Sequence, residues 1–139
     1  MKTSQKKIFV LISILFLLVS LTQPCYSVEG TGKDTVGAIG LIAFLLGWLN
    51  FNLIGIVWLA NPLLLLSMIF LFKKEKFALI TSGLALLFSL CFFLVDRIII
   101  NEGGTTGKID HVLVGYWLWL SSIFVIFICS LVTRVYRKK

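Results

Sequence analysis

Residues 36–72 form an almost uninterrupted apolar stretch, and its length is the strongest constraint on how the chain can fold. As one straight helix it would run about 55 Å, against a bilayer hydrocarbon core of roughly 30 Å. It must therefore break. Asn50-Phe51-Asn52 is the one polar cluster inside it, so the reading divides the stretch into 36–49 and 53–72. Composition agrees with a membrane solvent. Apolar residues make up 59% of the chain and charged residues 14%, against about 45–50% and 25% in soluble domains. So little polar surface cannot cover so much Leu, Ile, Val and Phe in water.

The net charge of +7 raises nucleic acid as a partner, but its distribution excludes that class. The bases sit in three clusters, Lys2/Lys6/Lys7, Lys73/Lys74/Lys76 and Arg134/Arg137/Lys138/Lys139, each abutting an apolar block. Membrane proteins keep cytoplasmic positive charge in such places, whereas a nucleic-acid surface spreads it over one face. The clusters also count the crossings. All three fall on the cytoplasmic side only if one of 36–49 and 53–72 fails to span. About 20 residues match the bilayer, so 53–72 is taken as the span. Residues 36–49 are then an interfacial or re-entrant helix on the outer side. A competing division has 36–60 cross, followed by a half-helix from Pro62, since Asn61-Pro62 reads as an N-cap and first-turn proline. Residues 77–95 run outward, 96–111 form an outer loop, and 112–133 return to a basic cytoplasmic tail.

Residues 1–27 read as a signal peptide or signal anchor. Three lysines precede the apolar stretch 8–21, and Cys25-Tyr26-Ser27 is a small-x-small pattern after Pro24. The stretch is short for a spanning helix, which favours cleavage after Ser27. The expected fold is all-α, with three spanning helices, four if this segment is retained, plus a non-spanning or re-entrant apolar helix. Trp48, Trp58, Tyr116, Trp117 and Trp119 fall at outer ends of their segments, where an aromatic belt is expected.

The sharpest candidates for chemistry are Asn50, Asn52, Asn61 and Pro62. Proline frees the carbonyl four residues earlier, that of Trp58, and broken helices can build transport sites. A kink with asparagines as interhelical hydrogen bonds is the simpler reading. No ionisable residue falls in the central part of any assigned span, which disfavours an ion-coupled transporter. Asp96, Arg97, Glu102 and His111 are outer-loop interaction candidates, with ordinary solvated charges as the simpler account. His111, the sole histidine, has no Cys or His neighbour in sequence to make a metal site. The run 103–108 ends in Gly107-Lys108 like a phosphate loop, but the required earlier glycine is Glu102. Cys91 and Cys129 lie at different depths and read as small apolar residues. No nucleophile–base pair, cofactor or metal site is expected, and the chain reads as no enzyme. Ala43/Gly47 and Ala85/Ser89 have spacing that permits close helix contact.

The strings at 58–63 (Trp-Leu-Ala-Asn-Pro-Leu) and 115–121 (Gly-Tyr-Trp-Leu-Trp-Leu-Ser), with Gly47-Trp48-Leu49, resemble a loose group of small bacterial polytopic inner-membrane proteins. That group has no established activity, so the resemblance implies location and architecture only. The expectation is a non-enzymatic accessory, scaffold or immunity-type partner of another membrane component, in contact with the lipid bilayer and a second membrane protein or itself. The alternative is an oligomeric small-solute transporter or channel subunit, with Asn50, Asn52 and Asn61 along its path.

Overall fold

A computed structural model of the chain describes residues 1–30, 38–49, 52–99 and 105–138. Its elements are α1 (Thr3–Leu21), β1 (Tyr26–Val28), α2 (Gly40–Leu46), α3 (Leu53–Trp58), α4 (Ala60–Lys73), α5 (Glu75–Leu90), β2 (Arg97–Ile99), β3 (Thr106–Val112) and α6 (Val114–Lys138). A tight turn of helix, Gly47–Leu49, extends α2, and another, Cys91–Leu94, extends α5. The α3 and α4 segments form one apolar rod interrupted at Leu59, whose N–H still reaches Gly55 O and Ile56 O. Among the described residues, four helices are long and apolar enough to cross a membrane: α1, the α3–α4 rod, α5 with its extension, and α6. The shorter apolar helix Gly40–Leu49 is not.

The packing is inverted relative to a water-soluble bundle. Small residues share the interior with Leu64, Leu71, Ile123 and Ile126: Ala60, Ala78, Ala85, Ser13, Ser67, Ser82, Ser89 and Ser122 are fully buried. Long apolar residues face out, with Leu11 68% and Leu15 61% exposed on α1 alone. Small side chains let helix backbones approach closely in lipid, where apolar residues gain nothing by turning inward. Apart from Ser13, these buried serines spend their hydroxyls within their own helix, as in Ser67 to Leu64 O at 2.6 Å and Ser82 to Ala78 O at 2.7 Å. Ala85 and Ser89 therefore serve contacts within the bundle rather than between chains.

Both ends of the bundle are tied. At one end, the Lys6 ammonium meets Glu75 Oε1 at 2.8 Å and Leu71 O at 3.1 Å, fixing the start of α1 on the α4–α5 turn. Thr133 lies 4.0 Å from the Met1 sulfur, which brings in the last turns of α6. Lys2, Lys6, Lys7, Lys73, Lys74, Lys76 and Arg134 thus share one end of the molecule.

The other end carries a feature the all-α expectation lacked. The segment 96–111, where described, is not all loop. It contains a hairpin, β2 against β3, and β1 adds to the far side of β3, giving an antiparallel sheet of order β1-β3-β2. Arg97 pairs with Lys108 and Ile98 with Gly107; Tyr26 pairs with Val112 and Ser27 with His111 before a register shift. Tyr26, Val28 and Ile98 pack on Phe92 and Tyr116, so the sheet is seated on the bundle by its own apolar face. Backbone bonds complete the join: Cys25 N to Ala38 O at 2.7 Å, Leu113 N to Cys25 O at 2.9 Å, and Gly115 N to Pro24 O at 3.0 Å. The segment after α1 consequently holds the starts of both α2 and α6.

Candidate functional site

A cluster of aromatic and polar side chains lies beneath the sheet, around a partly open cavity of about 240 Å³. Its walls come from the C-terminal end of α1 (Ser20, Leu21), Cys25, the sheet (Tyr26, Ile98), α2, the start of the α3–α4 rod, Phe92, and α6 (Tyr116, Trp119). Among the described residues, no charged side chain lines it. The aromatic wall is continuous. Phe92 and Tyr116 stack at 4.9 Å, Tyr26 stands 6.0 Å from Phe92, and Trp119 is 5.7 Å from Tyr116.

Asn61 is the polar centre of this site. It is 6% exposed, and its Oδ1 accepts from Trp119 Nε1 at 2.8 Å. An indole N–H only donates, so this bond fixes which way the amide faces. The NH₂ group then has no protein acceptor among the described residues, and Asn61 lines the cavity. Two further polar groups are satisfied by backbone: Tyr116 donates to Ser89 O at 2.9 Å and Trp58 Nε1 to Phe44 O at 2.6 Å. The second bond draws α2 against α3. Gly47 makes it possible, because a Cβ there would stand 2.6 Å from Trp58 Cδ1.

Burial pushes the Cys25 thiol up to about 11 and raises the Tyr26 phenol further, the neighbouring Cys25 adding to the latter. Both groups stay neutral at physiological pH, in keeping with the apolar surroundings.

The remaining sequence candidates scatter. Asn52 is exposed at the tip of α3 and caps it, accepting from Ile54 N at 2.9 Å. Pro62 sits in the first turn of α4, where its missing N–H costs little, but the residue before that helix is Leu59 and Asn61 makes no cap. Asn50 and Glu102 lie outside the described residues. Asp96 is exposed and its carbonyl accepts from Ile109 N at 3.0 Å, while Arg97 reaches Thr106 at 3.4 Å along the hairpin. His111 is exposed beside Asp110 at 3.4 Å. The five outer aromatics divide: Trp48 and Trp117 are half exposed, whereas Trp58, Tyr116 and Trp119 turn inward to the cavity. Sequence position gives depth along a helix but not the face a side chain occupies. Tyr26, Phe44 and Phe92 were not singled out from sequence, nor was Lys6 as a bundle contact. Gly47, eleven residues before Trp58, was the available hint of close packing there.

No family model matches this chain, and no curated protein or solved structure is significantly similar to it.

Proposed function

We propose that the protein is a non-enzymatic accessory or scaffold subunit of the bacterial inner membrane, an immunity-type partner being one form this could take. In this reading the basic end faces the cytoplasm, with both the start of α1 and the tail of α6, and the sheet faces outward. The gathering of Lys2, Lys6, Lys7, Lys73, Lys74, Lys76 and Arg134 at one end supports that orientation through the positive-inside rule. The same packing supports retention of α1, since its buried face (Lys6, Ser13, Leu17, Ser20) is a single stripe of the bundle interface.

The observation that carries the functional reading is the cross-bracing of the helices. Lys6–Glu75 joins α1 to the α4–α5 turn, Ser13 to Ser122 O joins α1 to α6 at 2.7 Å, Asn61–Trp119 joins α4 to α6, and Tyr116 to Ser89 O joins α6 to α5. A bundle tied at three levels favours a fixed platform over a rocking transporter. Asn52 and Asn61 are engaged in separate bonds rather than lining one path, which weighs against the transport alternative. Mild-detergent purification of the tagged protein from its host, followed by mass spectrometry, tests the proposal. A stoichiometric membrane partner is expected. Recovery as a homo-oligomer carrying a solute flux that Asn61→Leu abolishes would replace this reading with the transport one.

A further inference from the structure

The cavity under the sheet combines features that a structural void does not need. A buried asparagine already bonded through its oxygen offers an unpaired NH₂ at the wall. That NH₂ keeps contact with the cavity space, so an acceptor placed there would complete its hydrogen bonding. We propose that the cavity binds the carbonyl-bearing ring of an uncharged, membrane-dissolved lipid, a quinone-type ring on an alkyl or prenyl tail. This goes beyond the accessory reading and does not depend on whether a protein partner exists.

Four observations select that chemistry. A charged ligand is disfavoured, because among the described residues the wall holds no charge to pair with a buried ion. Size favours one ring and the start of a tail: about 240 Å³ exceeds the roughly 150 Å³ that admits benzene and falls short of the roughly 300 Å³ where drug-sized pockets begin. The walls suit a flat ring, since Tyr26, Trp58, Phe92, Tyr116 and Trp119 present aromatic surface from several sides. Depth decides between a ring and the acyl ester of a bilayer lipid. Asn61 lies eight residues into the rod that starts at Leu53, about 12 Å below its outer end. On the membrane placement proposed above, on which this step rests, ester carbonyls stay at the headgroup boundary, so the acceptor that reaches Asn61 belongs to a molecule that dissolves in the hydrocarbon layer. The cavity is partly open, which leaves a way out for the tail.

The test uses the full chain in detergent micelles with a decyl-tailed benzoquinone, read by tryptophan fluorescence. Trp58 and Trp119 line the cavity while Trp48 and Trp117 do not, so a bound ring quenches part of the signal saturably. Asn61→Leu should weaken half-saturation about tenfold, the loss of one hydrogen bond in a dry site. Ala43→Phe, which fills the cavity from α2 without removing any side-chain bond, should abolish the saturable component. Decylbenzene, lacking the carbonyls, should compete weakly and equally in wild type and Asn61→Leu. Quenching that rises linearly and is unchanged by Ala43→Phe would overturn the site. Saturable quenching indifferent to Asn61→Leu would overturn the amide contact. Stronger displacement by a fatty-acid methyl ester than by decylbenzene would overturn the ring in favour of an acyl chain.

Discussion

Replacing Lys6 by methionine should loosen the whole basic end of the bundle. The Lys6 side chain is 9% exposed and lies 2.8 Å from Glu75 Oε1, itself 20% exposed. Its second bond, 3.1 Å to Leu71 O, satisfies a carbonyl in the last turn of α4, where Lys74 has already left helical geometry. Such a carbonyl has no partner within its own helix. Methionine preserves the length and apolar stem while removing both bonds. Breaking a buried pair from one side costs about 3–5 kcal/mol, but Glu75 is only partly buried and makes a further interaction. A loss of about 2–3 kcal/mol is therefore expected. Glu75→Gln keeps an oxygen acceptor and should cost about 1 kcal/mol. The double variant should fall short of the sum by about 1–2 kcal/mol, the coupling of groups in direct contact. Equilibrium unfolding in mixed micelles of increasing SDS fraction, followed by tryptophan fluorescence, measures each term. A Lys6→Met effect under about 0.5 kcal/mol with no coupling to Glu75 would refute the docking of α1 on the α4–α5 turn.

Other variants probe different levels of the structure. Gly115→Ala places a Cβ 2.7 Å from the backbone oxygens of Gln23 and Pro24; overpacking against rigid backbone should cost about 1–3 kcal/mol in the same unfolding assay. Ser13→Ala removes the α1–α6 bond to Ser122 O and should cost about 0.6–1.7 kcal/mol. Ser130→Ala should be neutral or stabilising, because that buried hydroxyl has no hydrogen-bond partner. Cys25 holds its proton up to about pH 11 when folded, against about 8.5 unfolded. Its contribution to stability is thus complete below the unfolded value and is lost as pH rises toward 11; Tyr26 is shifted in the same direction. Maleimide labelling of Cys25 at pH 8 should accordingly be far slower in micelles than after SDS unfolding, as followed by mass shift.

The helical part of this fold was legible because length and hydropathy suffice to recognise a spanning segment. The separation of 36–49 from 53–72 followed from excess length and the polar Asn50-Phe51-Asn52, the single crossing from charge bookkeeping, and the short α2 beside the long α3–α4 rod corresponds to it. The sheet was hidden by its brevity. β1 and β2 have three residues each, and their signal, Tyr26-Ser27-Val28 and Arg97-Ile98-Ile99, is β-branched and aromatic character too short to stand out beside membrane helices. Pairing β1 with β3 also joins residues some eighty positions apart, which no local pattern announces. Asn61 was legible as an unusual residue but not as a cavity wall, since its partner Trp119 is fifty-eight positions away. Lys6 looked like part of a signal-peptide start. Its burial depends on Glu75, the single acid within the second basic cluster, and that pairing exists only once the helices are packed.

The sheet and the cavity rest on α1 remaining in the molecule, because Ser20, Leu21, Cys25 and Tyr26 form one side of the cavity and β1 completes the sheet. The most direct test is the intact mass of the protein extracted from its native membrane. A mass that includes residues 1–27 is the predicted result. A mass corresponding to a chain beginning at Val28 would contradict the account, leaving the sheet without most of β1 and the cavity open along the α1 side.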